Sequence, residues 1–277
     1  MPELPEVEAW RRGVHEWMAG RRVVRLRVEE PTSVRATLTT RPMPPSVELL
    51  AEADALAGEV FAGSARHGKR LGMQLGTGWW LVHLGMTGRF ERTVAADPVP
   101  LHGRVGWELD DGHTVWFRDA RRFGAFVPLT SKEDLGRGLG PDALEPLTGG
   151  DLAARFRGRR AIKVALLDQA AIAGLGNIHA AEALWRAGIA PDTRVDRVDR
   201  GAWTRLGEAI VAQLSTALDD IPAVDDFVYV TDGGENPFAV YGREGLACPR
   251  CGEAVRRAVH GGRSTFWCGR CQPPGPG

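Results

Sequence analysis

The sequence has no net charge, no long uncharged apolar run and no cysteine before position 248. Its 35 basic and 35 acidic residues balance, so any surface that attracts nucleic acid must be local. The missing apolar run argues against a transmembrane helix, and the acidic start of the chain is unlike a secretory signal peptide. We therefore expect a soluble, cytoplasmic protein without a membrane partner.

The only cysteines form two Cys-x-x-Cys pairs separated by sixteen residues, Cys248 with Cys251 and Cys268 with Cys271. This clustering argues against a disulfide framework and is typical of a tetrahedral zinc site. Four thiolates fill every coordination position, so the predicted Zn²⁺ is structural and folds a segment too short for its own core. The alternative is four unmetallated thiols.

The segment around these cysteines is locally basic. Residues 243–271 contain six arginines and two glutamates in an otherwise neutral chain. A basic zinc hairpin is a good phosphate binder, so this pattern indicates a contact with a phosphate backbone. A solvated charged face is the alternative interpretation.

The chain begins Met1-Pro2-Glu3-Leu4-Pro5-Glu6. A small second residue usually permits removal of Met1, which leaves Pro2 with a free secondary amine that titrates near about 7.7–8.0. A neutral amine attacks carbonyl-like carbons and forms Schiff bases, and Glu3 and Glu6 lie close enough to move protons. The alternative is an ordinary first helical turn, because apolar residues recur every three or four positions at Leu4, Val7, Trp10, Val14 and Trp17.

Short apolar segments separated by turn residues dominate the first half of the chain. Val24, Leu26 and Val28 alternate with arginines, which predicts a strand. Between residues 58 and 129 the strand-like segments are divided by candidate turns at 68–69, 76–78 and 110–112. A helix followed by many short strands indicates a β-sandwich or barrel with an appended helix.

The remaining segments differ in composition. Residues 31–50 are rich in Pro, Thr and Ser and are predicted to be a loop, and residues 131–150 to be a linker. Residues 151–220 have helical periodicity, residues 225–245 resemble a long loop, and the Pro/Gly tail at 273–277 is expected to be disordered.

Four further motifs could contact a nucleic acid. Residues 174–179 read Gly-Leu-Gly-Asn-Ile-His between two apolar segments, which suits a turn between helices that exposes backbone N–H groups to one phosphate. Residues 83–88 place a methionine between glycines, and residues 118–124 carry an arginine pair and a phenylalanine. Such side chains can fill a vacated base stack. Lys69 in a hairpin turn can bind a phosphate. Each motif has an ordinary structural alternative. Residues 174–179 could be a helix C-cap, the methionine and phenylalanine of the two loops could be core residues, and Lys69 could be an ordinary turn lysine.

Together these motifs, in this order from the amino terminus to Gln272, resemble the formamidopyrimidine-DNA glycosylase/endonuclease VIII family. The opening Pro-Glu-Leu-Pro-Glu-Val-Glu resembles the formamidopyrimidine branch, and Gly-Arg-Ser-Thr-Phe-Trp-Cys at 262–268 resembles the family's zinc hairpin. The resemblance implies an α+β multidomain fold with an N-terminal helix plus β-sandwich, a helix-two-turn-helix domain and a C-terminal β-hairpin zinc finger. The implied ranges are 1–130 for the catalytic domain, 131–150 for the linker, 151–242 for the helical domain, 243–272 for the zinc finger and 273–277 for the tail.

The resemblance also implies a bifunctional DNA glycosylase/AP lyase of bacterial base excision repair. Such an enzyme, expected as a monomer, flips an oxidised base out of double-stranded DNA and excises it through a Schiff base on Pro2. It then cleaves the strand by β- and δ-elimination, and it also acts at abasic sites. The implied catalytic residues are Pro2 as nucleophile, Glu3 as proton donor, and Lys69. The other implied roles are phosphate contacts for Lys69, Asn177 and Arg263, void filling for Met86, Arg121 and Phe123, and support near the site for Glu6, Lys163 and Glu182.

Some positions depart from the family pattern. Ala120 stands where members commonly have Pro, and His179 where they commonly have Tyr. The loop between Asp232 and Arg243 looks several residues shorter than in members that cleave 8-oxoguanine, so ring-opened purines, 8-oxoguanine and oxidised pyrimidines all remain candidate substrates. A damage-binding protein without catalysis, expected if Met1 is retained, and a zinc-ribbon nucleic-acid adaptor are the alternatives from other classes.

Overall fold

The computed structural model describes residues 2–38, 43–221 and 236–274. It comprises two compact units, one with the residues up to Arg137 and the other with Gly138–Asp220 and the residues from 236 onward. Met1, most of the 225–245 segment and the last three residues of the predicted tail lie outside the described residues. Within these ranges, no helix is both long enough and apolar enough to cross a membrane.

The first unit begins with the predicted amphipathic helix, α1 (Leu4–Met18). Its apolar face is buried, and Trp10 packs against the ring of Phe90 with ring centroids 6.0 Å apart. Pro5 occupies the first turn, where a missing backbone N–H costs nothing. The helix therefore fixes the amino terminus against the sheets behind it.

Two antiparallel four-stranded sheets form most of the rest of this unit, with strand orders β1-β6-β7-β5 and β2-β3-β4-β8. A single apolar core joins them, in which Trp107 of one sheet meets Phe126 of the other edge to face at 5.2 Å. The predicted sandwich is confirmed, as are the three turns. The strands are β1 (Val23–Val28), β2 (Phe61–His67), β3 (Arg70–Leu75), β4 (Gly78–His83), β5 (Arg89–Val94), β6 (Gly103–Leu109), β7 (His113–Arg118) and β8 (Ala125–Leu129).

The first strand departs from simple alternation. The pairing of β1 with β6 shifts register between Val23 and Arg25, so Val23 is buried whereas Val24 is 47% exposed. A bulge of this kind adds one residue to one strand and turns the following side chains to the other face. The predicted strand is present, but Val24 does not point to the core.

The loop prediction for residues 31–50 is wrong at its carboxyl end. Helix α2 (Val47–Asp54) begins there, because the Ser46 hydroxyl accepts the Leu49 N–H at 3.2 Å and caps the helix. The segment predicted as a linker also has structure, since a short 3₁₀ helix (Lys132–Gly136) buries Leu135 and a further helix begins at Gly149.

The second unit is helical up to Asp219 and ends in a β-hairpin, as predicted. Helix α5 packs against α6 and against strand β10 of the hairpin. The hairpin therefore rests on the helix that begins with Asn177. The elements are α3 (Gly149–Arg155), α4 (Ile162–Ala165), α5 (Asn177–Ala187), α6 (Arg200–Asp219), β9 (Val255–His260) and β10 (Arg263–Cys268).

Candidate active site

The amino-terminal residues are buried at the start of α1. Pro2 is buried and Glu3 is only 2% exposed. The Glu6 carboxylate accepts the backbone N–H of Glu3 at 2.8 Å. This bond fixes the peptide that links Pro2 to Glu3, so Glu6 holds the position of the two residues whose roles the resemblance implies.

The turn that carries Lys69 is tied to the same helix. Glu8 of α1 binds Arg66 at 3.2 Å, and Arg66 in turn donates to the carbonyl of Gly68 at 3.0 Å. Burial alone would raise the pKa of the Glu8 carboxyl, but hydrogen bonds and charges from Arg11 and Arg66 outweigh it and hold that pKa below its usual value. The ionised pair therefore links the amino-terminal helix to the two-residue turn at 68–69.

A partly buried histidine, His83, lies opposite Arg70 across strands β3 and β4, next to this turn. Burial lowers the pKa of His83, and the positive charges of Arg70 and Lys69 lower it further, so the imidazole is neutral at pH 7. A neutral ring adds no charge to a surface where Lys69 is expected to meet phosphate.

The three predicted void-filling residues lie on two loops of the first unit. Met86, in the loop after β4, is 37% exposed, and Phe123, in the loop after β7, is 40% exposed. The Arg121 guanidinium lies over the Phe123 ring, 4.8 Å from its centroid. Apolar side chains with this much exposure are not core residues, which argues against the alternative that Met86 and Phe123 only pack in the core.

In the second unit a hydrogen-bonded chain joins three elements. The buried Lys163 donates from Nζ to Asn177 Oδ1 at 2.6 Å, and Asn177 Nδ2 donates to the Ser264 carbonyl at 2.8 Å. Asn177 therefore connects α4 to strand β10 across 87 residues of sequence. The structure brings the predicted residues Lys163 and Asn177 into direct contact, next to the hairpin end that carries Arg263.

The turn before α5 differs from the prediction in one respect. It does not directly connect two helices, because α4 ends at Ala165 and eleven residues separate it from Asn177. Instead, Gln169 shapes the turn, since its side chain accepts the Gly174 N–H at 3.0 Å and donates to the Leu175 carbonyl at 2.8 Å. Gly176 is the N-cap of α5, so the motif forms the start of that helix and is not the C-cap of another.

Glu182 binds the backbone of residues 239–241, which follow the undescribed residues 222–235. Its buried carboxylate accepts the N–H groups of Ala239, Val240 and Tyr241 at 3.0, 2.9 and 2.8 Å. Three such bonds stabilise a carboxylate that makes no ion pair with any residue that the structure describes. The structure describes the predicted short loop at 232–243 from residue 236 onward, and this side chain fixes that part of the loop to α5.

The four cysteines form a compact cluster whose sulfur atoms lie within 4.8 Å of one another. The Sγ atoms of Cys248 and Cys271 are 3.9 Å apart, and those of Cys251 and Cys268 are 3.4 Å apart. Zn–S bonds of about 2.3 Å in a tetrahedron require S–S distances near 3.8 Å, so the cluster fits Zn²⁺. No position is left for water, and the metal is structural.

The zinc cluster supports a hairpin with a free arginine at its end. Gly261 and Gly262 both have positive φ, and a Cβ at Gly261 would lie 3.2 Å from the Val164 side chain. The exposed Arg263 side chain makes no hydrogen bond or ion pair to any described residue. By contrast, Arg256 and Arg257 pair with the two glutamates of the segment. Arg263 is therefore available to an external anion.

Sequence reasoning missed several residues that hold these groups in place. Asp119 lies within the quoted motif at 118–124, yet its buried carboxylate was not singled out. Gln169 and Gln272 were also missed. Gln272 bridges the zinc segment to the preceding helical region, since it accepts the Cys268 N–H at 3.0 Å and donates to the Ile189 carbonyl at 2.8 Å. A short polar residue directly after a strand was the available signal for Asp119.

Three family models together match almost the whole chain. The family model described as formamidopyrimidine-DNA glycosylase N-terminal domain matches residues 1–126. The H2TH domain of the same glycosylase matches residues 139–225, and the zinc finger found in FPG and IleRS matches residues 245–274. The predicted fold class and the predicted structural zinc are confirmed.

Individual proteins of the same family are similar to this chain over almost its whole length. A formamidopyrimidine-DNA glycosylase of Stenotrophomonas maltophilia is 39% identical over 281 residues, covering 98% of this chain and 100% of the relative. A Lactococcus lactis Fpg complex with DNA containing an abasic site matches with TM-score 0.84 at 26% identity, covering 98% and 99% of the two chains. A complex of the same protein with DNA containing an oxidised pyrimidine matches with TM-score 0.83 at 25% identity, covering 98% and 100%. The chain belongs to the formamidopyrimidine-DNA glycosylase family and is a DNA glycosylase/AP lyase of base excision repair.

Proposed function

We propose that this enzyme excises oxidised bases from double-stranded DNA through a Schiff base on Pro2 and then cleaves the strand by β- and δ-elimination. The observation that carries the proposal is the buried Pro2–Glu3 start of α1, fixed by the bond from the Glu3 N–H to Glu6. A buried proline, whose nitrogen is an amine once Met1 is removed, followed by a buried carboxylic acid supplies a nucleophile and a proton donor in adjacent residues.

The proposed chemistry needs Met1 to be removed, because only then is the Pro2 nitrogen an amine. This nitrogen attacks C1′ of the damaged nucleotide, the glycosidic bond breaks, and the base leaves with a proton. Glu3 protonates the ring oxygen O4′, so the sugar opens and the nitrogen–carbon bond becomes an iminium ion. Loss of a C2′ proton then expels the 3′ phosphate, and loss of the C4′ proton expels the 5′ phosphate. Water hydrolyses the remaining iminium ion, which releases the sugar fragment as an unsaturated aldehyde and restores the Pro2 amine. The product is a one-nucleotide gap with phosphate ends.

The DNA is held by positive and polar groups of both units in this proposal. Lys69 in the first unit and Arg263 in the second bind phosphates of the damaged strand, and the start of α5 at Asn177 adds a third contact. Met86, Phe123 and Arg121 enter the stack that the base has left, with the two apolar groups as wedges and the guanidinium on the orphaned base. The exposure of Met86 and Phe123 supports this assignment.

Ring-opened purines are the proposed main substrates, as the family name implies, with 8-oxoguanine as a further candidate. Oxidised pyrimidines are a second candidate class, favoured by the Lactococcus lactis Fpg complex with oxidised-pyrimidine DNA. The short loop at 232–243 is the feature of this chain expected to shift the preference away from 8-oxoguanine.

A cleavage panel tests the proposal. Duplexes that carry a ring-opened guanine, 8-oxoguanine, an oxidised pyrimidine, an abasic site or no damage are incubated with the enzyme, and the strand ends are identified by mass. We expect phosphate at both ends of the gap and the fastest excision from ring-opened guanine. Tight binding to damaged duplexes with no cleavage of any of them would show a damage-binding protein instead.

Replacing Glu3 with Gln is expected to slow base excision by about 10²- to 10⁴-fold, because a general acid is lost at the ring oxygen. Cleavage of a pre-formed abasic site should fall less, since the Pro2 amine remains and the sugar is already partly open. The measurement is single-turnover kinetics on both substrates. Glu16→Gln, on the exposed side of the same helix, is the matched control. Undiminished excision by Glu3→Gln would remove Glu3 from its role.

Lys69→Ala and Arg263→Ala are each expected to weaken binding to damaged and undamaged duplexes alike. Each contact with a phosphate releases counterions, so each variant should flatten the log–log salt dependence of the binding constant by about 0.9. Titrations at several salt concentrations measure the slope, and Arg205→Ala on α6 serves as a control for the loss of one surface charge. An unchanged slope would show that the side chain does not contact phosphate.

A further inference from the structure

The buried carboxylate of Asp119 organises the loop that carries Arg121 and Phe123. Asp119 is 1% exposed. One of its oxygens, Oδ1, accepts the Arg121 N–H at 3.2 Å, and the other, Oδ2, accepts the Gly124 N–H at 2.6 Å. The backbone of Asp119 is itself fixed, because its N–H donates to the His102 carbonyl at 3.0 Å. The carboxylate therefore sets the path of the chain on both sides of Phe123 from a fixed position beside β6 and β7.

The same carboxylate reaches the loop that carries Met86. The Thr87 hydroxyl donates to Asp119 Oδ1. The oxygen of that hydroxyl also accepts the Arg121 N–H at 3.3 Å. Thr87 is the direct neighbour of Met86, so its hydroxyl joins the two loops. Asp119 Oδ1 accepts from both Thr87 and Arg121, and the Arg121 N–H donates to both Asp119 and Thr87.

The backbones of the two loops are also in close contact. Gly85 has a φ of +62°, and a Cβ there would lie 2.7 Å from the Gly124 nitrogen and 2.8 Å from the Phe123 carbonyl carbon. Such distances are too short for any side chain, so only glycine permits the approach. Met86 and Phe123 thus lie next to a contact that is fixed from both sides.

We propose that Asp119 and Thr87 are positioning residues that lock the loops 85–88 and 119–124 into one wedge, so that Met86, Arg121 and Phe123 enter the DNA stack together. This inference rests on the proposed function, because it assumes that these three side chains fill the void. Filling the space of an extruded base requires groups already held in place, since each freely moving side chain would lose conformational freedom as the base leaves. The shared hydrogen bonds meet that requirement.

Thr87→Val tests the proposal, because it keeps the shape of the side chain and removes only the hydroxyl. A duplex with 2-aminopurine beside a paired lesion reports base extrusion as a rise in fluorescence in stopped-flow experiments. We expect Thr87→Val to slow this rise and the single-turnover excision by about ten- to a hundredfold, the range expected when a catalytic element shifts by up to about 1 Å. Cleavage of an abasic site, which has no base to extrude, should stay within about twofold of the wild type.

Two further variants separate positioning from a general structural effect. Thr87→Ser, which restores the hydroxyl, should recover extrusion, although a purely steric role of the threonine would not be rescued by it. Combining Thr87→Val with Met86→Ala should slow extrusion little more than Met86→Ala alone, because both act through the same wedge. Equal slowing on paired lesions and abasic sites, or no rescue by Thr87→Ser, would overturn the proposal.

The failure of this inference and that of the proposed function give different results. If Met86→Ala slows extrusion but Thr87→Val does not, the loops are not coupled through Thr87 and the void-filling role stands. If neither variant alters extrusion, the void-filling role itself is wrong and the inference fails with it.

Discussion

Replacing Pro2 with Leu is expected to reduce excision and abasic-site cleavage by at least about a thousandfold. A large second residue prevents removal of Met1, so the nitrogen at position 2 stays in a peptide bond and its lone pair is no longer nucleophilic. Pro2→Gly permits the removal of Met1 and leaves a primary amine, so it should retain measurable activity. Intact mass of both proteins confirms the processing, and single-turnover cleavage of lesion and abasic duplexes gives the rates.

Two controls separate chemistry from folding in this comparison. Pro5→Ala changes a proline in the first turn of the same helix and should leave the rates nearly unchanged. Binding of Pro2→Leu to a duplex with a stable abasic analogue should also persist, since Lys69 and Arg263 are untouched. Wild-type cleavage by Pro2→Leu with Met1 retained would exclude the amino terminus as the nucleophile.

Cys251→Ser is expected to remove the zinc and to abolish detectable DNA binding and cleavage. Metal binding contributes about 10–16 kcal/mol to the folding of zinc-finger peptides, so the hairpin has no comparable source of stability without it. Besides the metal, its described attachments to the helical region include the Asn177–Ser264, Gln272–Ile189 and Arg250–Trp185 hydrogen bonds and the packing of β10 on α5, none of which orders the cysteine loops from within. Arg263 would then lose its fixed position. Metal analysis gives the zinc content, and a binding titration gives the affinity for a damaged duplex.

The first unit should remain folded in Cys251→Ser because its sandwich core contains none of the zinc ligands. Limited proteolysis should cut within residues 244–272 and spare residues up to 137. Arg263→Ala is the matched control, since it keeps the zinc and removes one phosphate contact, so its loss of affinity should be far smaller. One equivalent of zinc in Cys251→Ser, or full activity in metal-free wild type, would contradict the structural role.

Local signals in the sequence predicted the elements that depend on local chemistry. The amphipathic period of Leu4–Met18, the turn at Gly68-Lys69 and the cysteine spacing all correspond to structure because each acts within a few residues. Helix α2 was missed for the opposite reason. Proline and serine before Val47 indicated a loop, whereas Ser46 is the N-cap of a helix. The same residue type serves both purposes.

The supports of the candidate site could not be predicted because they join distant parts of the chain. Asn177 meets Ser264 across 87 residues, and Glu182 meets Val240 across 58. No periodicity or spacing rule relates such positions, since their contact depends on the folded path of everything between them. Lys163 and Glu182 were named from resemblance alone, and Asn177 from its Gly-rich motif and the resemblance, whereas their partners came only from the structure.

The most direct test of the account is reduction of the reaction intermediate with borohydride. An iminium ion between the enzyme and C1′ is reduced to a stable amine, which leaves protein and DNA covalently joined. Digestion of the adduct and mass spectrometry then identify the modified residue. A Pro2 nucleophile predicts a single adduct on the nitrogen of Pro2, in a peptide that lacks Met1. An adduct on Lys69, or no adduct from an actively cleaving enzyme, would contradict it.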